Sequence, residues 1–491
     1  MRKAAFRVRT LALVMAAGSL SVVTACGGGG GGGTPAPTPA PTPAPTPTPT
    51  PTPVACSLGS REDWAADQLN QWYLFPSLIA TNVNKASYSD LQSYVDALVA
   101  PAREQSKDRY FTYVTSIAEE DALINSGQTA GFGFRLGYDT SSNRVFVIES
   151  FEGTPAYAAN IGRGDELLSI GNQAVASLMA SDGPQAVFDA LGPSDPGVAR
   201  TLSIQHLNGA QAAVTLIKAT YDMNAVSTQG NHVISYGGSP VGYINLRTFI
   251  SRTGEDELRA RIKEFKDQGI DKVIVDLRYN GGGLIEVSQV LGSLLAASQV
   301  NKPFAYMSFR ASQSSNDERL DFEPEASAIS AAKVAFIGTA GTASASELVM
   351  NALAPYLGRN VALVGGNTYG KPVGQIGIDN AACDDRFRII AFETQNADHY
   401  GGYFNGLAVD PANDPNSFVN KASTCRATDD IFHQLGDPSE NSVAAALNWL
   451  NGGSCTAIAS ATTTTQAVKA KYAPLQPARP NATQEKLPGL F

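Results

Sequence analysis

The sequence predicts an α/β protein whose largest part is a sheet of parallel strands covered by helices. Four short apolar runs indicate buried strands: 241–246, 272–278, 334–337 and 361–364. The segments between these runs carry apolar residues at helical spacing, as at Leu258, Ile262 and Phe265. Because strand–helix–strand alternation requires right-handed crossovers between parallel strands, a layered α/β core is expected.

The N-terminal 25 residues predict an export signal. Four basic residues, the last of them Arg9, precede an apolar stretch at 11–23 that is short for a bilayer span. The sequence Val-Thr-Ala-Cys ending at Cys26 resembles a bacterial lipoprotein cleavage box, so we predict a lipoprotein signal peptide over 1–25 and lipidation of Cys26. An ordinary secretory signal or an uncleaved anchor is the alternative. Gly27 resembles the residue found in lipoproteins of the outer membrane, which predicts a lipid-anchored protein of the bacterial cell envelope facing the periplasm.

Residues 26–55 are predicted to be a linker, because a glycine run is followed by Pro-Thr and Pro-Ala repeats. Glycine makes such a chain flexible, and the proline repeats extend it as polyproline II. We interpret this segment as a stalk. A proline-rich ligand for a partner domain is the alternative, but the segment contains no aromatic or basic anchor.

The remaining chain, roughly 400 residues, is long enough for two or three domains. The whole chain of 491 residues has a formal net charge of −9 and no basic patch, which argues against nucleic acid and against anionic lipid headgroups as partners.

Residues 56–126 are predicted to form a helical N-terminal domain. Two sets of apolar residues lie at helical spacing, one around Leu69 and one around Val95. After Cys455 the chain becomes rich in alanine and threonine and then in proline, so 456–491 is predicted to be a low-complexity tail without fixed structure.

The pattern changes to strands over 127–222. Gly-Phe-Gly-Phe at 131–134, an apolar run at 144–148 and the sequence GRGDELLSIGN at 162–172 resemble a PDZ domain. In that resemblance the carboxylate-binding loop consists of Gly131, Phe132, Gly133 and Phe134. A glycine-flanked loop exposes N–H donors to a terminal carboxylate, and a free strand edge pairs with an extended peptide. Taken alone, the four-residue sequence would also suit an ordinary strand with core phenylalanines.

The segments GTASASE at 341–347 and GKPVGQ at 370–375 carry the candidate catalytic groups. Ser344 falls at a strand-to-helix turn, where unpaired N–H groups and the positive helix end favour a developing oxyanion. Lys371 follows in a glycine-rich loop, and an amine buried enough to be neutral can activate a hydroxyl. None of the four histidines lies in a nucleophile motif. A Ser/Lys dyad is therefore predicted; the alternative is helix-packing serines and a solvated lysine.

A glycine run closes the strand at 272–278. The sequence Tyr-Asn-Gly-Gly-Gly at 279–283 would let the backbone approach a ligand closely and direct N–H groups into a cleft. A plain tight turn is the alternative.

Together, DLRYNGGG at 276–283, GTASASE and GKPVGQ resemble the S41-type C-terminal processing (tail-specific) serine peptidases. The resemblance implies a crotonase-like α/β peptidase core, here at 230–455, beside the PDZ domain and an N-terminal helical cap. It also implies the site residues: Ser344, rather than Ser346, as nucleophile, Lys371 as general base, Gln375 to orient the lysine, and oxyanion N–H groups at Ala345 and at Gly282 or Gly283.

These resemblances imply a serine endopeptidase that needs no cofactor or metal. Its partners would be protein or peptide substrates, engaged through their C-terminal tails by the PDZ domain, and the membrane through the lipid anchor. The alternative is a catalytically silent peptide-binding lipoprotein of the same fold. The survival of Ser344, Lys371 and Gln375 together favours the enzyme.

Of the five cysteines, four remain after Cys26, and an even number in an exported chain predicts two disulfides with three possible connectivities. Cys56–Cys455 would join the two ends of the folded body, and Cys383–Cys425 would staple the segment after the dyad. These are the pairs that we predict. A zinc site is the alternative, but no Cys-X-X-Cys spacing supports it.

Overall fold

The structure is a computed structural model that describes residues 56–139, 141–230, 232–409, 413–458, 471–477 and 480–491. The predicted signal peptide, the lipidated Cys26 and the linker up to residue 55 lie outside the described residues. Among the residues that are described, no helix combines the length and the apolar character needed to cross a membrane.

The N-terminal unit consists of α1 (Leu58–Trp72), α2 (Leu91–Leu98), α3 (Ala100–Glu104), β1 (Tyr113–Ser116) and α4 (Ile117–Ser126). Helix α1 begins after Ser57, whose hydroxyl accepts a hydrogen bond from the Ser60 N–H. Strand β1 departs from the expected all-helical unit, since its residues pair antiparallel with residues 385–388 of the core. Its sequence, Tyr-Val-Thr-Ser, favours the extended backbone that this sheet edge requires.

The second unit is mainly strands: β2 (Gln128–Gly131), β3 (Phe134–Asp139), β4 (Val145–Ser150), α5 (Pro155–Ala158), β5 (Glu166–Ile170), β6 (Gln173–Ala174), α6 (Val175–Leu191), β7 (Ala199–Gln205), β8 (Gln211–Ile217) and β9 (Ala219–Asp222). Strands β3, β4, β5, β7 and β8 are neighbours in one sheet, in that order. Helix α6 buries Val187 and Leu191 with Phe132 and Phe134 in this unit's apolar core. We call it the β unit.

The largest unit contains β10 (Val233–Tyr236), β11 (Ser239–Asn245), α7 (Thr253–Asp267), β12 (Lys272–Asp276), α8 (Ile285–Leu295), β13 (Pro303–Phe309), β14 (Glu318–Asp321), β15 (Lys333–Gly338), α9 (Ala345–Leu357), β16 (Val361–Gly365), β17 (Val373–Asn380), β18 (Asp385–Gln395), α10 (Phe418–Lys421), β19 (Ser423–Arg426) and α11 (Asn441–Leu450). The central sheet has the order β10-β11-β12-β15-β16-β19. Strands β11, β12, β15 and β16, which correspond to the four predicted runs, run parallel, and β19 adds a fifth parallel strand that was not predicted.

Successive residues of the central strands face two different layers. On β12, Val273 and Val275 pack into one apolar cluster with Leu258 and Leu291 of α7 and α8. Ile274 faces the opposite cluster, which contains Leu447 of α11. Burial on both faces explains why these strands are continuous apolar runs rather than alternating ones. A second sheet, β1-β18-β13-β14 with β17 paired to β18, flanks this core.

The C-terminal segment forms β20 (Tyr472–Pro474) and α12 (Ala482–Lys486). Strand β20 pairs antiparallel with β3 of the β unit. The expectation of a tail without fixed structure is therefore wrong for these residues, because the apolar side chains in this segment are buried: Leu475, Leu487, Leu490 and Phe491. Tertiary burial of a few large side chains overrides a composition that is otherwise typical of disorder.

All four cysteines of the body are paired, but not as predicted. The disulfides are Cys56–Cys383, with a Cα–Cα distance of 5.4 Å, and Cys425–Cys455, with 5.3 Å. Cys383 lies in the turn between β17 and β18, and this turn lies beside the start of α1. Cys425 lies on β19 and Cys455 follows α11, which packs against β19. The predicted pairs Cys56–Cys455 and Cys383–Cys425 are corrected accordingly, since strand order rather than distance along the sequence decides which cysteines meet.

Candidate active site

The turn at Ser344 is held in an uncommon backbone conformation. Ser344 has φ 57° and ψ −116°, and helix α9 begins at the next residue. A non-glycine residue with positive φ costs free energy and persists only where its surroundings fix it. Two hydrogen bonds do so: the Ser344 N–H donates to Glu347 Oε2 at 2.9 Å, and the Ser344 carbonyl accepts from Leu348 at 2.8 Å.

Ser344 and Ser346 differ in accessibility. Ser344 is half-buried, whereas Ser346 is completely buried and donates its hydroxyl to the carbonyl of Asn280 at 3.0 Å. A hydroxyl committed to a buried carbonyl is poorly placed to attack a substrate, so the geometry favours Ser344 as the reactive serine of this segment.

Glu347 connects the serine turn to the lysine loop. Its carboxylate is fully buried; Oε2 accepts from the N–H groups of Ser344 and Lys371, at 2.9 and 2.8 Å, and Oε1 accepts from Gly370 at 2.7 Å. The backbone nitrogens of Ser344 and Lys371 donate to the same oxygen, so the distance between them is at most the sum of these two donor–acceptor distances. Burial raises the pKa of Glu347, while these N–H donors favour its charged form. Glu347 ends the segment GTASASE, and no sequence pattern predicts that it joins the serine turn to the lysine loop.

Lys371 is buried, with 7% of its surface exposed. Its Nζ lies 2.9 Å from Gln375 Oε1 and 4.6 Å from the centre of the Phe111 ring. Burial, and after it the positive charge of Lys486, lowers the pKa of Lys371 well below the ordinary value of 10.5. The groups found around the amine are Gln375, Phe111 and Lys486.

Gln375, on β17, is oriented by the N-terminal unit. Its Nε2 donates to the carbonyl of Phe111, and because a carbonyl can only accept, Oε1 must point the other way, toward Lys371. Phe111 is held in turn by the buried carboxylate of Asp108, which accepts from the Phe111 N–H at 2.8 Å. Sequence patterns gave no signal for Phe111, since its partner Gln375 lies 264 residues away in the chain, and none for Asp108, which acts on the site through Phe111.

A buried charge network fixes the loop that follows β12. Arg278 is fully buried, and its guanidinium reaches Asp276 at 2.8 Å, Glu440 at 2.9 Å and Asp429 at 2.8 Å. Asp429 also pairs with Arg163 of the β unit at 2.7 Å. Because a buried charge is tolerated only when it is paired, these bonds hold the chain on either side of the loop in one arrangement.

The glycines of this loop lie against the serine turn. A Cβ placed on Gly282 would be 2.8 Å from Ser344 Cβ and 3.1 Å from the Ala345 nitrogen, so only glycine allows this approach. The N–H of Gly282 donates to Asn280 Oδ1 at 2.9 Å, so in this conformation it is engaged rather than directed at Ser344. Gly283 has no room for a Cβ beside Ile250. Ala345 begins α9, where the first N–H groups of a helix lack intrahelical acceptors.

The residues predicted to bind a peptide carboxylate form the corner between β2 and β3. Phe132 and Phe134 are buried in the core of the β unit. The N–H groups of Gly133 and Phe134 both donate to the oxygen of Phe491, at 2.9 and 3.4 Å. The predicted loop therefore has the expected donors, and a residue of this same chain accepts from them.

Two charged residues of α12 lie beside the catalytic candidates. Lys486 Nζ is 3.5 Å from Gln375 Oε1, the same atom that accepts from Lys371. Burial and the nearby Arg388 lower the pKa of Lys486, and burial raises the pKa of half-buried Glu485. Within the described residues, no group of three or more His, Cys, Asp or Glu side chains is arranged to hold a metal ion.

Comparison with known proteins shows what the chain is similar to. Residues 240–395 match the model of peptidase family S41. The carboxyl-terminal-processing protease of Synechocystis sp. is 26% identical over 254 residues, which cover 51% of this chain and 54% of that protein. The carboxy-terminal processing protease CtpB of Bacillus subtilis is 25% identical over 318 residues, covering 64% of this chain and 60% of the relative. The chain thus spans little more than half of the length of these relatives.

A solved structure shares the fold over a larger part of the chain. A Bacteroides fragilis protein described as an S41 protease superposes with a TM-score of 0.58 and 21% identity, covering 79% of this chain and 97% of that one.

Proposed function

We propose that the chain is a serine endopeptidase of the S41 type, with Ser344 as nucleophile and Lys371 as general base; its similarity to peptidase family S41 and to carboxyl-terminal-processing proteases supports this. The observation that carries the proposal is the shared carboxylate of Glu347, which accepts from the N–H groups of both residues. It brings an accessible serine and a buried lysine together across a gap of 27 positions in the sequence.

The depressed pKa of Lys371 supplies the chemistry that the dyad needs. A neutral amine can take the proton of the Ser344 hydroxyl as its oxygen attacks the carbonyl carbon of a peptide bond. The resulting ammonium then gives that proton to the leaving amine as the peptide bond breaks. A water molecule, activated by the same amine, hydrolyses the acyl-enzyme. Gln375 Oε1 accepts a hydrogen bond from the lysine and keeps Nζ in place through this cycle.

Stabilisation of the oxyanion is assigned to the start of α9 and to the glycine loop. The Ala345 N–H belongs to the first turn of the helix, where the helix dipole favours negative charge. Gly282 and Gly283 remain the proposed second donors because the loop lies in contact with Ser344. Use of Gly282 requires its N–H to leave the Asn280 side chain when substrate binds.

The β unit is proposed to act as a PDZ domain that engages the C-terminal tails of substrates. Gly131, Phe132, Gly133 and Phe134 would form its carboxylate-binding corner, and β3 would pair with the tail. Support comes from the two N–H donors at Gly133 and Phe134 and from the edge position of β3 among the strands of this unit.

The location is proposed from the N-terminal sequence. A lipoprotein signal at 1–25, lipid attachment at Cys26 and a stalk to residue 55 would hold the peptidase at the bacterial outer membrane, facing the periplasm. Two disulfides are consistent with an oxidising compartment of this kind.

The test is digestion of casein, and of peptides with an apolar C-terminal residue, by the parent chain and by Ser344→Ala. We expect cleavage by the parent and none by the variant, with a serine-reactive phosphonate probe labelling only the parent. Equal digestion by the two proteins would remove Ser344 from the role of nucleophile, and no digestion by either would favour a silent peptide-binding protein. Thermal unfolding of both chains verifies that the variant is folded.

A further inference from the structure

The last residues of the chain form an added strand on β3. The Phe491 N–H donates to the Phe134 carbonyl at 3.0 Å, and the Leu136 N–H donates to the Gly489 carbonyl at 2.7 Å. Leu490 stands opposite Arg135 in an antiparallel bridge. This is the geometry expected when an extended peptide adds to a sheet edge.

The side chain of Phe491 fills an apolar pocket of the β unit. It is 1% exposed, and its ring centre lies 5.6 Å from that of Phe188 on α6. A Cβ on Gly131 would lie 2.6 Å from the Phe491 carbonyl carbon, so the corner is shaped to let this residue approach. The pairing with β3, the pocket for the Phe491 side chain and the space left by Gly131 together form a peptide-binding site. Its occupant is a segment of the same chain.

The remaining edge of β3 is also covered. Residues Tyr472–Pro474 pair with Gly137–Asp139, and the Leu475 N–H donates to the Leu136 carbonyl at 2.9 Å. The two pieces of the C-terminal segment therefore occupy the edge formed by Gly133 and β3 as far as Asp139. A substrate strand cannot pair with the same groups at the same time.

The connecting helix α12 lies over the catalytic groups. The Lys486 carbonyl accepts from the Gly281 N–H at 3.2 Å, and a Cβ on Gly281 would be only 2.8 Å from the Glu485 carbonyl oxygen. Lys486 Nζ approaches Gln375 Oε1, the acceptor of the catalytic lysine. With α12 in this position, the glycine loop and Lys371 are shielded from an incoming peptide.

The covering segment is folded as an inhibitor rather than as a substrate. Its backbone at 482–486 is helical, and the helix is capped by Asn481, whose side chain accepts from Gln484 at 2.8 Å. The Gln484 side chain in turn donates to the Leu490 carbonyl at 3.2 Å and links the helix to the docked strand. A helical backbone does not present the extended peptide bond that the serine attacks.

We propose that residues 480–491 are an intramolecular ligand of the peptide groove, and that they hold the peptidase closed until a substrate tail with a large apolar last residue displaces them. That the segment occupies the peptide groove, the groove half of the proposal, is supported by the contacts alone. That it keeps the peptidase inactive, the closing half, rests on the proposed peptidase function. Opening is expected to be competitive, because the docked segment and the substrate tail use the same N–H groups of Gly133 and Phe134.

Tethering makes this competition measurable. A segment attached to its own groove is present at an effective concentration on the order of 1 mM, so a free peptide of the same sequence should bind the intact chain at least about tenfold more weakly than a chain without the segment.

The experiment measures binding of a fluorescent peptide with the sequence of residues 485–491 by anisotropy, and peptide hydrolysis in parallel. The proteins are the intact chain, a chain ending at residue 479 and the point variant Gly489→Ala. Gly489 has φ 82°, and an added Cβ would lie 2.5 Å from the Leu136 carbonyl oxygen, so the point variant loosens docking without removing the segment. A peptide with aspartate in place of the final phenylalanine is the control ligand.

We expect both altered proteins to bind the peptide at least about tenfold more tightly than the intact chain, and to hydrolyse substrate faster. Equal binding by all three proteins overturns the inference. Tighter binding with an unchanged, measurable hydrolysis rate overturns the closing half. Tighter binding without hydrolysis by any of the proteins supports the intramolecular ligand and counts against the peptidase function, so the two failures are distinguishable.

Discussion

The side-chain oxygen of Gln375 lies 2.9 Å from Nζ of Lys371 in a buried site to which the N-terminal unit contributes the Phe111 ring. A glutamine can accept from an ammonium or from a neutral amine, so it orients the lysine without stabilising its charge as a carboxylate would. This pairing suits a base that must lose its proton readily.

The first prediction concerns the charge of Lys371. Because burial lowers its pKa, the neutral form increases as the pH rises through that lowered value, and the hydrolysis rate should rise and level off well below pH 10.5. The measurement is kcat/KM against pH.

Lys371→Arg should abolish hydrolysis, since a guanidinium stays charged. Lys263→Arg on the exposed face of α7 is the matched control and should behave as the parent. Substantial activity of a folded Lys371→Arg protein would remove Lys371 from the role of base.

The second prediction separates the two serines. Ser344→Ala should reduce hydrolysis by roughly 10³-fold or more, because it removes the nucleophile. Ser346→Ala should keep most of the activity and lose about 1 kcal/mol of unfolding free energy, because the Asn280 carbonyl still accepts from Ala343 at 3.1 Å. Peptide mapping after reaction with a serine-directed phosphonate identifies the labelled residue. A label on Ser346 would reverse the assignment.

The third prediction concerns Glu347 as a positioning residue. Glu347→Gln replaces one acceptor oxygen with an NH₂ group, which must face at least one of the backbone donors at Ser344, Gly370 and Lys371. We expect kcat to fall roughly 100-fold as the serine and lysine move apart, with KM little changed because the peptide groove is on another unit.

The control for Glu347 is Glu62→Gln, which alters another buried carboxylate, on α1. It should leave kcat unchanged. If Glu347→Gln changed only the thermal stability and not kcat, Glu347 would have a structural role alone.

The parallel core was predictable because its strands are buried on both faces and their apolar runs are continuous. The order of β11, β12, β15 and β16 agrees with the tendency of strands that follow one another in the sequence to lie side by side in a sheet. The candidate residues Ser344 and Lys371 could be named from the sequence, since each lies in a short motif. These features depend on residues close together in the sequence.

The contacts that could not be predicted join distant parts of the chain. Phe111 and Lys486 lie beside Lys371 only because two other units pack against the core, and no local pattern marks them. The C-terminal segment has a disordered composition, yet a few large apolar residues such as Phe491 fix it on β3. The same reason explains the wrong disulfide pairs, because the partner of Cys56 is set by how the β17–β18 turn packs on α1.

The fourth prediction concerns the disulfides. Non-reducing peptide mapping of exported protein should recover Cys56–Cys383 and Cys425–Cys455 and neither of the pairs expected from the sequence. Replacing Cys56 and Cys383 together by serine should cost roughly 2–5 kcal/mol, because the bridge closes a loop of more than 300 residues in the unfolded chain. Urea unfolding measures this loss. Four alkylatable thiols in protein taken from the periplasm would contradict the pairing.

The last prediction concerns the corner that binds peptide ends. Gly131→Ala would place a Cβ 2.6 Å from the carbonyl carbon of the docked Phe491, and a backbone atom cannot move aside as a flexible side chain can. A substrate tail that uses the same corner should be excluded for the same reason. We therefore expect Gly131→Ala, made in the chain that ends at residue 479 so that release of the docked segment does not mask its effect, to slow cleavage of a peptide with a free apolar C-terminus about tenfold. Tenfold is about 1.4 kcal/mol, near the lower end of the roughly 1.5–3 kcal/mol of a charge-assisted hydrogen bond. The same peptide with an amidated end should be cleaved slowly by this shortened parent, and Gly131→Ala should not slow it further. Gly162→Ala, where an added Cβ meets no atom within 4 Å, is the control in the same unit and should leave both rates at the parent level. If Gly131→Ala and amidation both leave the cleavage rate unchanged, the β unit does not recognise C-terminal ends, and the docking of Phe491 would have to be explained as folding of this chain alone.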